Sequence, residues 1–243
     1  MKFAVLSDIH GNMIALRAVL EDMSQFNIDR VLCLGDLAMA GPEPNKTIDF
    51  VRTQDWTVIQ GNTDEMIAKF SDDVYNSVKQ GAPIMANALK LDVKEISLEN
   101  KNYLKNLPIN KCIEIDGLKI LLVHGSPRRN NENIFPNMDM IIIEEIFRDV
   151  DADVVFCGHT HIPCGYQTNS KVTIVNDGSV GRPFTEKPKA CYVIADIIDG
   201  EISVEHRMID YDVDAAMKIL KNRGFVGADK LAGMLKNPQS RHM

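Results

Sequence analysis

The stretch Val31–Gly41, VLCLGDLAMAG, decides the reading of the fold. Val31–Leu34 is a short apolar run of strand formers, and it stops at Gly35-Asp36. A carboxylate directly after a buried parallel strand sits at the strand's carboxyl end, where open α/β sheets hold their ligands. Gly35 permits a sharp turn and leaves room beside Asp36. Alone, Gly-Asp after a strand is equally a plain turn. It gains meaning because four other strand-end loops of the chain offer metal-ligating side chains.

Upstream, Lys2–Ser7 (KFAVLS) is a buried-strand candidate that runs into Asp8-Ile9-His10-Gly11-Asn12. Met13–Met23 then carries apolar residues near helical period. Asp8 and His10 are two apart, so an extended turn can aim both side chains the same way. Carboxylate plus imidazole suits Zn, Mn or Fe. The same loop also reads as a helix N-cap at Asn12 with an incidental histidine. Downstream, Asn45–Arg52 looks helical, and Thr57–Gln60 is a third strand ending at Gly61-Asn62-Thr63-Asp64. Three units of strand, polar loop and helix predict a largely parallel sheet with these loops along one edge.

Residues 64–110 carry apolar spacing for two or three helices, either an insert near the site or helices covering a sheet edge. Strands follow at Lys111–Ile115 and Leu118–Val123, joined by an Asp116-Gly117 hairpin turn. The second ends at His124-Gly125-Ser126-Pro127, before Arg128-Arg129. An amphipathic helix is expected over Asn137–Val150 and a strand over Asp153–Cys157, which ends at Gly158-His159-Thr160-His161. Two imidazoles two apart after a glycine form the most specific short signal in the chain. Lys171–Val175 is a strand, and the Gly-rich turn Asn176–Pro183 (NDGSVGRP), with Arg182, could present N–H groups to an anion. A hairpin, Ala190–Ile198 and Ile202–Arg207, and two tail helices, Asp212–Asn222 and Val226–Leu235, close the chain. The tail helices either pack on the core, cover the site or join two copies of the chain.

The chain has 243 residues, 45% of them hydrophobic and 25% charged, as in ordinary soluble globular proteins. Its net charge of −7 disfavours a generic nucleic-acid or anionic-membrane binder, which needs a basic face. An anionic substrate stays compatible, because bound divalent cations can reverse the sign inside a pocket. The five cysteines are scattered and form no CxxC, as expected of reduced thiols in the cytosol. No charged-then-apolar leader and no run of 18 apolar residues is present, so a cytoplasmic protein is expected.

Asp8, His10, Asp36, Asn62, His124, His159 and His161 all fall at strand ends, and they include four of the six histidines. All seven offer N or O and none a thiolate, which favours Mn, Fe, Zn, Co or Ni. They are too many for one tetrahedral ion and suit two ions about 3.5–4 Å apart, the clamp of phosphoryl and phosphodiester hydrolysis.

In this order, Asp8-Ile-His10, Gly35-Asp36, Gly61-Asn62-x-Asp64, His124-Gly125 and Gly158-His159-Thr160-His161 resemble the calcineurin-like metallophosphoesterase superfamily. His124-Gly-Ser-Pro-Arg128 and Gly178-Ser-Val-Gly181 look like its small bacterial phosphodiesterase branch, which includes the retromer scaffold subunit and, more distantly, dinucleoside tetraphosphate hydrolases. The resemblance implies an α/β fold, a four-layer αββα sandwich of two mixed β-sheets flanked by helices, over one domain spanning residues 1–243 with a helical insert at 64–110 and tail helices at 212–236. It implies two divalent transition-metal ions, manganese foremost. The first is held by Asp8, His10, Asp36 and His161, and the second by Asp36, Asn62, His124 and His159, with Asp36 bridging. A hydroxide held between the metals would attack phosphorus in line. Arg128 would offset charge on the equatorial oxygens, and Asn12, Arg128 and Arg182 would contact substrate. The chain departs from many members at Thr63, where they carry a histidine that protonates the leaving group. Leaving groups that depart as stable anions are therefore expected, so the substrate is a nucleotide-derived diester or a dinucleoside polyphosphate. A phosphomonoesterase and a non-catalytic scaffold are the alternatives.

Overall fold

The computed structural model describes residues 1–238. The first third alternates as expected, with β1 (Lys2–Leu6), α1 (Met13–Met23), β2 (Arg30–Cys33), α2 (Pro44–Arg52) and β3 (Thr57–Val58). Four short helices follow, α3 (Asn62–Ala68), α4 (Asp72–Gly81), α5 (Pro83–Glu95) and α6 (Leu98–Asn106). Next come β4 (Asn110–Ile115), β5 (Leu118–Val123), α7 (Met140–Ile146), β6 (Val154–Cys157), β7 (Cys164–Gln167) and β8 (Thr173–Asn176). The hairpin β9 (Ala190–Ile198) and β10 (Glu201–Ile209) and the tail helices α8 (Val213–Asn222) and α9 (Ala228–Lys236) complete the described chain.

The strands form two mixed sheets of five, in the orders β10-β9-β1-β2-β3 and β4-β5-β6-β8-β7. In the first, the parallel trio β1-β2-β3 runs to one edge, with the antiparallel hairpin β9-β10 beside β1; in the second, the parallel trio β5-β6-β8 is central, flanked by antiparallel β4 and β7. Alternation along β1 shows how the layers stack. Phe3 and Val5 point between the sheets, where they meet Ile120, Leu122, Val154 and Phe156. Ala4 and Leu6 point the other way, into a core shared with helices including α1, α5, α8 and α9. Phe3 meets Phe156 edge to face at 5.9 Å across the inner layer. A third cluster packs Ile143 and Ile146 of α7 on the outer face of the second sheet. The four-layer αββα expectation is met.

Differences from expectation have local causes. The α7 helix is half the expected length because Asn137 takes a left-handed φ of 63° and Asp139 caps the helix by accepting from the Ile141 N–H. Strand β3 is short because Gln60 turns its N–H to the Pro108 carbonyl. The edge strand β7, which the sequence reading lacks, is half exposed and held by antiparallel pairing to β8. Both Asp-Gly turns hold positive φ at each residue, as a type I′ hairpin requires: 46° and 83° at Asp116-Gly117, 53° and 81° at Asp199-Gly200. The described cysteines are free thiols, and no described helix is long and apolar enough to cross a membrane.

The tail helices pack on the core, with Leu220, Leu231 and Leu235 buried there. They also anchor the helical region to a site loop. Arg223, after α8, pairs with Asp92 of α5 at 2.7 Å and donates to the Gly41 carbonyl. Asp92 in turn accepts from the Ala40 N–H at 2.9 Å. Both side chains are nearly fully buried, so removing one strands a charge. Arg223→Ala should lower the unfolding free energy by about 3 kcal/mol in urea titration. The double variant R223A/D92N should recover part of that loss, and equal losses would show that the pair carries no such coupling.

Candidate metal centre

The strand-end loops converge beyond the carboxyl ends of β1, β2, β5 and β6. The loops after β1 and β2 run side by side, with Asp8, His10 and Gly11 donating N–H groups to Gly35, Asp36 and Leu37 carbonyls. From the other side, Val180 and Gly181 donate to Ser7 and Asp8 carbonyls. The approach is close enough to demand glycine at several points, two of them directly beside the candidate ligands. A Cβ on Gly61 would lie 2.0 Å from Asp36 Oδ1, and one on Gly158 would lie 2.2 Å from Ser7 Oγ.

Five of the candidate ligands hold left-handed backbone: Asp8 (φ 54°), His10 (47°), Asp36 (53°), His159 (67°) and His161 (61°). Non-glycine residues avoid this region, and concentration of it in one place marks a functional site. The tight curl lets residues two apart aim at one point.

Two groups result, Asp8-His10-His161 and Asp8-Asp36-His124, each with its ligand atoms within 4.8 Å of one another. Asp36 sends Oδ2 toward His10 Nε2 at 3.6 Å and Oδ1 toward His124 Nε2 at 3.5 Å. Asp8 Oδ1 lies 3.1 Å from His161, 3.7 Å from His10 and 3.9 Å from His124. Both carboxylates thus sit between the two groups, whereas the sequence pattern singled out Asp36 alone. Asn62 Oδ1 lies 3.0 Å from His124 Nε2. His159 stands beside these groups, its ring against that of His124 at 5.4 Å and its N–H donated to Asp8 Oδ2.

Main-chain carbonyls orient three of the rings. His10 Nδ1 faces the Met39 carbonyl at 3.0 Å, His124 Nδ1 that of Leu34 at 2.8 Å, and His161 Nδ1 that of Arg182 at 2.6 Å. A carbonyl only accepts, so each Nδ1 carries the proton and each Nε2 is the atom presented to the cluster. The Nε2 atoms of His10 and His161 face each other at 3.2 Å. Asp8 Oδ1 beside them is buried with no hydrogen-bond partner. Converging acceptors of this kind call for a cation, and the N/O donor set fits divalent transition metals.

Charge in the cluster is strongly coupled. Burial pushes Asp36 up, but His124 and His10 outweigh it and hold the carboxyl at about 2. Burial pulls His124 down, but Asp36 and Asp8 outweigh it and hold the ring up at about 10. His159 is pushed down to about 4 by burial and by His124, and burial also lowers His161.

Asp64 works as scaffold. Its Oδ2 accepts from the Asp36 and Gly61 N–H groups and its Oδ1 from Leu37, binding the two loops together. Burial and the Asp36 charge raise it to about 7. Thr63 donates its N–H to Asp36 Oδ1 and its hydroxyl to the Ala38 carbonyl, so that hydroxyl faces protein.

The remaining site residues have other employment. Asn12 caps α1 by accepting from the Ala15 N–H and donates Nδ2 to the Gly181 carbonyl. Arg128 is partly exposed and paired with Glu132 at 2.5 Å and Glu145 at 3.5 Å. Arg182 lies against Met85 and the Phe184 ring, and Phe184 stacks on His161 at 4.8 Å. In the 176–183 turn, the N–H groups of Asp177, Gly178, Val180, Gly181 and Arg182 are donated within the protein, so they form no anion nest. Residues the sequence did not single out include Ser7, which donates to Asp8 Oδ2 at 2.5 Å, and the orienting carbonyls, which carry no residue signature.

Residues 1–200 match the model of the calcineurin-like phosphoesterase superfamily domain. An uncharacterized protein of Methanocaldococcus jannaschii is 33% identical over 238 residues, covering 90% of this chain and 92% of its own. The crystal structure of a metallophosphoesterase from Sphaerobacter thermophilus superposes with a TM-score of 0.79 at 26% identity, covering 97% of this chain and 98% of the other. That of a hypothetical protein from Pyrococcus horikoshii shares the fold, with a TM-score of 0.86 at 24% identity and 99% of both chains covered. With its ligand motifs gathered into one buried cluster, the chain belongs to the calcineurin-like phosphoesterase superfamily and is a phosphoester hydrolase.

Proposed function

We propose that the protein is a dimetal hydrolase of phosphodiester or phosphoanhydride bonds in nucleotide-derived substrates, acting in the cytosol with manganese as the preferred metal. The observation that carries this reading is the pair of acceptor clusters that share the buried Asp8 carboxylate, with Asp36 reaching toward His10 through Oδ2 and toward His124 through Oδ1. Asp8, His10, Asp36 and His161 would hold one ion, and Asp36, Asn62, His124 and His159 the other. When bound, two such ions supply Lewis-acid charge for the phosphoryl oxygens and acidify water for in-line attack.

The protein's own part is orientation. Ser7 and the His159 N–H fix Asp8 Oδ2 and leave Oδ1 facing the cluster. The carbonyls on each Nδ1 hold the rings against rotation. Arg128 is assigned the equatorial phosphoryl oxygens and reaches them by exchanging Glu132 for the substrate anion. Arg182, beside Phe184, flanks the His161 side of the site.

The leaving group receives little help. The Thr63 hydroxyl is committed to Ala38, and Asp64 accepts three main-chain N–H bonds. Neither resembles the acid that an alkoxide leaving group needs. This supports diesters and anhydrides with stable anionic leaving groups over alkyl phosphomonoesters.

The deciding experiment compares a dinucleoside tetraphosphate, bis-p-nitrophenyl phosphate and p-nitrophenyl phosphate, with Mn²⁺ and with chelator. Metal-dependent turnover of one of the first two above the monoester is expected. Preference for the monoester would favour a general phosphomonoesterase, and no turnover despite bound metal would favour a scaffold. His161→Ala should lower turnover by about 10²-fold or more, and Ser7→Ala should weaken Mn²⁺ binding by ~10–100-fold in calorimetric titration. Mn²⁺ at about 100 times its dissociation constant should stabilise the wild type by roughly 2.7 kcal/mol, read as a rise in Tm that chelator reverses. Alkyl diesters should turn over about 10²-fold or more slowly than p-nitrophenyl diesters, and equal rates would show a general acid after all.

A further inference from the structure

Asn62 belongs to two places at once. Its Oδ1 faces His124 Nε2 at 3.0 Å, and the residue also lines a cavity of about 410 Å³. That cavity opens between α3, α4 and the loop after His124, in the size range of small-molecule sites. Whatever is joined to a phosphate at the metal cluster has this cavity as a neighbouring space.

Its lining is specific in chemistry. Met66, Val74 and Val78 supply the apolar surface. Ser77, Asn130 and Asn131 supply neutral hydrogen-bonding groups. The charges do not suit a second phosphate. Glu65 takes Lys69 on Oε1 and Asn130 on Oε2, each at 2.7 Å, so the cavity's lysine is already paired. Asp73 adds a further negative charge to the lining. No arginine lines the cavity. A ring-sized neutral group with donors and acceptors on its edge matches this wall, and methionine adapts well to a flat ring.

We propose that this cavity binds the nucleoside of a nucleoside phosphodiester, with the nucleoside esterified directly to the phosphate under attack rather than separated from it by further phosphates. The proposal rests on the dimetal reading of the adjoining cluster and names the substrate class for it.

The test uses the full-length protein with Mn²⁺ and two esters sharing one leaving group, thymidine 5′-(p-nitrophenyl phosphate) and methyl p-nitrophenyl phosphate. In the nucleoside ester, water oxygen bonds to phosphorus as the P–O bond to p-nitrophenolate breaks, and the water's protons pass to solvent. Thymidine 5′-monophosphate is left with its nucleoside in the cavity. Wild type should prefer the nucleoside ester by about tenfold in kcat/KM, mainly through KM. Ser77→Trp, at an exposed position of α4, fills the cavity and should abolish that preference. The tetraphosphate serves as a third substrate. A wild-type ratio near one, a ratio unchanged by S77W, or a tetraphosphate favoured over the nucleoside ester and losing that advantage in S77W would overturn the proposal.

Failure of the dimetal reading looks different, because then neither ester turns over. Equilibrium titration of the same two proteins with thymidine 5′-monophosphate and with inorganic phosphate still decides the cavity's role. Loss of about tenfold in nucleotide affinity relative to phosphate on S77W supports it. An unchanged ratio overturns it.

Discussion

The site depends on holding acceptor atoms together that repel one another. Asp8 Oδ1 and the Nε2 atoms of His10 and His161 lie within 3.7 Å in a buried space. Such a cluster is unfavourable until a cation fills it, and it persists only because its surroundings over-determine it. The left-handed residues cost about 1–3 kcal/mol each. Main-chain hydrogen bonds between the loops after β1 and β2, and from the 176–183 turn, offset that cost. Asp64 adds three more acceptances from the same loops. Arg223, far from any ligand, connects to the cluster through Asp92 and the Ala40 N–H, which belongs to the same peptide unit as the Met39 carbonyl that orients His10.

The two sheets explain how distant residues reach one point. Within each sheet the parallel trio gathers its carboxyl ends on one side, those of β1, β2 and β3 in one and those of β5, β6 and β8 in the other. Stacking through Phe3, Val5, Ile120 and Phe156 brings those ends together. Asp8 and Asp36 thus come from the first sheet, His124, His159 and His161 from the second, and the metal centre lies across the seam. Burial between the sheets therefore also positions the chemistry.

Much of this was legible because the signals are short and local. Apolar runs ending in Gly-Asp, Gly-Asn or Gly-His mark strand ends whatever the rest of the chain does. The Asp-Gly turns and the Met13–Met23 helix are likewise set by neighbours in sequence. Tertiary contacts decided what the sequence reading left open or got wrong. Strand β7 exists because β8 offers it an edge. The central place of Asp8 beside Asp36 follows from a φ of 54°, which no spacing rule encodes. Asn12 offers an amide beside the metal motif, and its bonds to the Ala15 N–H and the Gly181 carbonyl, which the sequence left open, fix that amide in place. The anion-nest reading of NDGSVGRP gives way to contacts within the protein: Val180 and Gly181 donate to the loop after β1, Asp177 to Cys157, and Gly178 and Arg182 to side chains of the turn itself.

The proposed substrate choice rests on what the walls leave free. On the α3 side, Thr63 and Asp64 turn inward to brace the ligand loops, so rigidity of the centre and an acid for the leaving group compete for the same positions. Committing both residues to bracing fixes the cluster, and on the proposed reading it would disfavour poor leaving groups. Beyond Asn62 the same helix faces a cavity whose lysine is paired and whose apolar floor suits a neutral ring. A bound metal pair would concentrate positive charge at the phosphate, and the net-acidic cavity wall would repel a second one placed there. On the proposed reading, the two halves of the site would take different parts of one molecule: a single anionic phosphoryl centre at the metal cluster, and an uncharged nucleoside beside it.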